Sequence, residues 1–169
     1  MVLWTQNGFV EDAYVRVASL GDAPAEGSVL VPLALWRSDG AALTSKCASV
    51  GVELPASKDA PGALAELVGR PLIALQYSKF GDGRAFSYAR LLRARLGYRG
   101  EIRAVGDVLF DELGFMLRVG FDSFEIANEP TLKALREGKT PIVPLVYQPG
   151  LARRETRVTE RPWTRKLAG

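Results

Sequence analysis

Residues 73–87 read Ile-Ala-Leu-Gln-Tyr-Ser-Lys-Phe-Gly-Asp-Gly-Arg-Ala-Phe-Ser. The run opens as an apolar segment of strand length, breaks at Gly81-Asp82-Gly83, and enters an Arg/Leu-rich segment with helical spacing. A strand that feeds a glycine-bearing turn and then a helix leaves unpaired backbone N–H groups at the helix N-terminus, where anions bind readily. Arg84 and Ser87 stand three apart at that entry and share a face, one offering a guanidinium fork and the other a hydroxyl. The competing reading is an ordinary capped turn, with Asp82 as cap and Arg84 in a surface ion pair.

Working outward, the same rhythm repeats. Pro71–Tyr77 reads as a strand and 85–96 as a helix stopped by Gly97. Glu101–Val105 is the next strand, followed by a helix to Arg118 with Asp107 as its expected cap and Leu109, Phe110, Leu113 and Leu117 as its stripe. Asp122–Ile126 and a helix over 130–136 complete a third unit, and Ile142–Tyr147 can supply one more strand. Upstream, 1–36 reads as β, with Asn7-Gly8 turning a small hairpin, Ala13–Val17 alternating, and Val29–Trp36 as a strand bent or edged by Pro32. A short helix is expected near 41–47, a strand at 50–54 and a helix at 62–68.

Strand–helix units joined by short loops imply parallel neighbours with right-handed crossovers. The expectation is a single α/β domain over 1–150 with a mainly parallel sheet and a β-rich N-terminal part. An open sheet is preferred to a partial β/α barrel because the N-terminal third looks like hairpin and edge strands. In such sheets ligands bind beyond the carboxyl ends of the strands. The loops meeting there offer Lys79, Asp82, Gly83, Arg84, Ser87, Asp107, Asn128 and Glu129. Arg103, inside a strand, is expected either to contact a ligand or to pair with Asp107 or Asp111, since a cation in an apolar strand is costly alone.

Composition removes several chemistries. The chain of 169 residues is 47% hydrophobic and has no histidine and one cysteine, Cys47. Histidine-based triads, histidine-ligated metals and intrachain disulfides are therefore ruled out. No third glycine completes a dinucleotide fingerprint, and no Walker A loop is present. Asp82 and Asp107 offer a carboxylate pair or a magnesium site through water, which is weak support for either. Residues 151–169 carry six basic against two acidic side chains, a local +4 of the chain's net +3, so the rest sums to −1. This basic stretch reads as an extended arm, placed against a partner subunit in a homodimer. A nucleic-acid role is disfavoured by the neutral body. No signal peptide or membrane span is indicated, and cytoplasmic residence is expected.

Three stretches also carry a resemblance: Lys79 to Arg93, Leu96 to Val108, and Arg118 to Glu125. Their motifs resemble a bacterial family catalogued as domain of unknown function 934, over roughly residues 29 to 127. Asp82, Arg84, Ser87, Arg90, Arg103, Asp107 and Arg118 match its pattern, whereas Gln76-Tyr77-Ser78 and Gly81 depart from it. The resemblance implies an association with assimilatory sulfate and sulfite reduction. The expectation is an accessory protein that binds an oxyanion, an anionic cofactor or the reductase at the Asp82–Ser87 turn, with sulfite reductase or another sulfur-assimilation enzyme as partner. It brings no established catalytic residue and no identified cofactor. Two alternatives stay open: an enzyme using Asp82 or Asp107 with Arg84 and Arg103, and a scaffold whose Arg-rich helix 85–96 and basic tail dock an acidic partner.

Overall fold

The computed structural model describes residues 1–57, 60–77 and 83–141. Lys79, Asp82, the expected strand 142–147 and the arm 151–169 lie outside the described residues.

Among the described residues eight strands form one sheet. They are β1 (Val2–Thr5), β2 (Gly8–Val10), β3 (Tyr14–Arg16), β4 (Ser28–Pro32), β5 (Ser49–Leu54), β6 (Leu72–Tyr77), β7 (Glu101–Gly106) and β8 (Ser123–Ile126). Their order across the sheet is β2-β1-β8-β7-β6-β5-β4-β3, and every pair from β3 to β8 is parallel. The neighbours β6, β7 and β8 are therefore parallel, as expected. Only β1 runs antiparallel, against both β2 and β8.

Between the strands lie α1 (Leu33–Lys46), α2 (Ala60–Leu67), α3 (Arg84–Ala94) and α4 (Phe110–Val119), with α5 (Glu129–Arg136) following β8. Strict alternation sorts the side chains. In β5, Val50, Val52 and Leu54 face the helices, as do Ile73 and Leu75 of β6, Ile102 and Ala104 of β7, and Phe124 and Ile126 of β8. The opposite set on those strands is Ser49, Gly51 and Glu53, then Leu72 and Ala74, Glu101 and Arg103, and Ser123 and Glu125.

Strands that follow one another in chain order, each with its helix, are the arrangement of a β/α barrel and not of a doubly wound sheet. Two observations show how far this sheet curls. A flat eight-stranded sheet would hold β2 and β3 about 33 Å apart. Residues 11–13 alone join them, and four Cα steps span at most about 15 Å. Moreover, Arg16 of β3 meets Glu125 of β8 at 2.7 Å, although these strands are five places apart. The alternative expectation, a partial barrel, is therefore the architecture, and the N-terminal hairpin belongs to its wall.

Local boundaries differ from the expected ones in three places. The strand expected to continue to Trp36 ends at Pro32, which precedes α1 as its N-terminal flank. Pro32 closes an interior strand and does not mark an edge. Helix α1 then absorbs the polar segment, bending at Asp39 (φ −128°, ψ 16°). Helix α4 starts from Leu109, not Asp107, and its first N–H donates to Thr131 Oγ1 at 3.0 Å.

Candidate functional site

The parallel strands all end at one rim of the barrel, where the sequence-predicted site was expected. Strand β6 brings up Tyr77, whose ring is 2% exposed. Beside it β7 turns away at Gly106 (φ +108°), where a Cβ would stand 2.2 Å from the Tyr77 carbonyl. Only glycine allows this close approach, and it lets the Asp107 N–H donate to that carbonyl at 3.1 Å. Asp107 itself is exposed at the rim.

The Tyr77 hydroxyl donates to Glu112 Oε1, one turn into α4. The other carboxylate oxygen, Oε2, is buried and accepts no hydrogen bond among the described residues. Phe86, in the first turn of α3, packs edge-on against the Tyr77 ring at 5.5 Å and on Phe115 of α4 at 5.0 Å. Tyr77 thus sits between the N-terminal turns of α3 and α4.

The predicted residues divide between two places. Gly83, Arg84, Ser87 and Asp107 belong to this rim. Gly83 precedes α3 with no side-chain cap, and Arg84 and Ser87 are exposed. The Ser87 hydroxyl turns back along its own helix to the Gly83 carbonyl at 3.3 Å. Asn128 is occupied as well, since its Oδ1 accepts from the Thr131 N–H and hydroxyl at 2.9 and 2.8 Å, capping α5.

Arg103 is not part of that rim. It lies inside the barrel, 1% exposed, toward the beginnings of the strands. Its Nη1 donates to both oxygens of Asp12 at 2.9 and 2.8 Å, and its Nε to Glu101 at 3.1 Å. Asp12 comes from the three-residue link, so neither Asp107 nor Asp111 is the partner. The Tyr14 ring covers the guanidinium at 5.5 Å, and Ser123 donates its hydroxyl to Glu101 Oε1 without a further charge.

A second inner cluster was missed from sequence. Arg16 grips Glu125 with both terminal nitrogens at 2.7 Å and reaches Glu53 through Nε at 3.1 Å. The hydrogen bond to Glu125 raises the Arg16 pKa above its already high value, fixing the charge. The signal for these groups was the period of two: Glu101, Arg103, Ser123, Glu125, Glu53 and Arg16 all stand one residue from a helix-facing apolar side chain.

Below this network a cleft of about 780 Å³ opens at the starts of β7 and β8, lined in part by Asn7, Tyr14, Arg99, Glu101 and Asp122. Arg93 closes its wall, donating to the carbonyls of Gly120, Tyr98 and Gly100 and pairing with Asp122. Among the described residues no cluster of three or more potential metal ligands exists. No helix among them is long and apolar enough to cross a membrane.

The fold and the rim together define a partial β/α barrel with charged pairs in its interior and a tyrosine–carboxylate pair between the first turns of α3 and α4. The matching family model is that of a bacterial protein of unknown function (DUF934), over residues 51–157, and the chain belongs to that family. No curated protein and no solved structure matches it.

Proposed function

We propose that the protein is an accessory binding protein of sulfate and sulfite assimilation that holds a protonated oxyanion, hydrogen sulfite, at the C-terminal rim for delivery to the reductase. The observation that carries this reading is Glu112 Oε2, a buried acceptor beside Tyr77 that has no donor among the described residues. Leaving such an atom unfilled costs about 1–3 kcal/mol, which a ligand O–H would return. The N-terminal turn of α3, where Gly83 supplies no side-chain cap and Arg84 is exposed, lies across the Tyr77–Phe86 contact and presents backbone N–H groups suited to an anionic acceptor. A ligand bearing both an acidic O–H and anionic oxygens meets both demands. The resemblance of the motifs to proteins tied to sulfite reduction supports the choice of sulfite within that class.

Isothermal titration with sulfite, phosphate and sulfate at pH 7 tests the reading. Sulfite and phosphate, which keep protonated forms there, are expected to bind at least about tenfold more tightly than sulfate. Arg84→Ala should weaken all three by about tenfold to hundredfold, one charge-assisted contact. Glu112→Gln, which presents an amide donor, should abolish the preference over sulfate. Equal affinity for sulfate and sulfite in the wild type, or no binding at millimolar concentration, overturns the proposal.

A further inference from the structure

Residues 83–100 hold five arginines and neither a carboxylate nor a lysine. One of the five, Arg93, is spent inside the molecule, its side chain 12% exposed and locked to three carbonyls and Asp122. The other four, Arg84, Arg90, Arg95 and Arg99, are exposed. On α3 the exposed positions are Arg84, Ser87, Arg90 and Ala94, with Arg95 as the C-terminal flank. At 100° per residue these fall within one face of about 140°, while Ala85, Tyr88, Ala89 and Leu92 are buried on the other. Arg84 and Arg95 are about 16 Å apart along the axis. Among the described residues Arg90 and Arg95 make no ion pair.

Three arginines elsewhere are paired with acids, Arg16 with Glu125 and Glu53, Arg37 with Glu66, and Arg103 with Asp12 and Glu101, while Arg70 lies over the Trp36 ring. The solvent face of helix α3 is cationic and supplies no acid of its own. The exclusive use of arginine matters. Its planar fork recognises carboxylates in a bidentate manner and loses little freedom in doing so, and arginine is enriched at protein interfaces where lysine is depleted.

We infer that the solvent face of α3 is a docking surface for the acidic face of a partner protein, read chiefly by Arg90 and Arg95. Charge complementarity selects the chemistry. A nucleic acid is the poorer match, because this face has no exposed aromatic group for bases to stack on and the chain outside 151–169 sums to −1. The surface begins at the rim, so a partner seated on α3 would lie against the C-terminal ends of the strands. The inference holds whether or not that rim binds an oxyanion.

The test is site-specific photo-cross-linking of the full chain in cells, with benzoylphenylalanine at Ser87 or Ala94, and at exposed Ala42 on α1 as control. The expected product is a cross-link from 87 and 94, but not 42, to an Asp/Glu-rich segment of another protein. Arg90→Glu with Arg95→Glu should reduce it at least about tenfold. Reversing acidic residues of the linked segment to lysine should restore it. Arg90→Gln with Arg95→Gln, which introduces no repulsion, should give an intermediate loss, and circular dichroism confirms that both double variants are folded. Titration of the charge-reversed variant with sulfite should match the wild type, which separates this surface from the rim. Cross-links to nucleic acid or to a second copy of this chain, none above the control, or insensitivity to both double variants overturns the inference.

Discussion

Tyr98 shows how a single side chain holds the lower end of the barrel. It is 1% exposed, and its hydroxyl donates to the carbonyls of Arg70 at 2.9 Å and Glu101 at 3.1 Å. Burial pushes its phenol well above the usual tyrosine value of about 10. A group whose folded pKa is raised contributes stability that is complete below the unfolded pKa and is lost as pH rises beyond it. Urea unfolding should therefore give constant free energies, as far as Tyr98 is concerned, up to about pH 10 and falling ones above it. Tyr98→Phe should cost about 1–3 kcal/mol at pH 7, from two carbonyls left short of a donor, and the gap to wild type should narrow above pH 10. A gap that stays constant across that range would contradict the assignment. At this scale the sequence was informative about type but not about partner. A charge at position 103 in an apolar strand implied a pair, and a pair exists. The partner, Asp12, comes from the far end of the chain through a closure that no local spacing reveals.

Elements were legible where periodicity and punctuation agreed. Helix α4 ends at Gly120 (φ +111°), whose N–H donates back to Leu117 at 3.2 Å, and α3 stops shortly before Gly97. They were harder to read where tertiary contacts chose the boundary. The N–H of Phe110 finds its acceptor in Thr131 of the next unit, so α4 begins without the Asp107 cap. Asn128 holds that Thr131 and thereby ties the starts of α4 and α5 together. Asn128→Ala should lower stability by about 1–2 kcal/mol, the upper range for a cap because a second helix depends on it. Amide exchange should accelerate at both Thr131 and Phe110. Acceleration at Thr131 alone would show that the two helix starts are uncoupled.

For the whole molecule, strand and helix order sufficed to predict parallel neighbours but not curvature. The hairpin at 2–10 looked like a reason for an open sheet. It is instead what carries the wall past β8, so that the link 11–13 can cross to the opposite edge. Arg16 and Glu125 fasten that crossing from inside. With Glu125 8% exposed and Arg16 38% exposed, part of the interaction is screened, and a double-mutant cycle of Arg16→Met and Glu125→Gln should return a coupling of about 1–2 kcal/mol. Arg16→Met alone should cost more than the coupling, because it strands a buried carboxylate. Additive single effects would mean that the edges hold together without the pair.

The placement of β1 also bears on how the chain assembles. Strands β5 to β8 each meet a neighbour formed one helix earlier, so these contacts close over short connections as the polypeptide lengthens. Val2, by contrast, pairs with Ile126. Its partner leaves the ribosome only when nearly the whole described chain has been made, and the hairpin must wait with Leu3 and Trp4 unsheltered until then. A segment made before every other strand of the sheet takes its place only after β8 has formed.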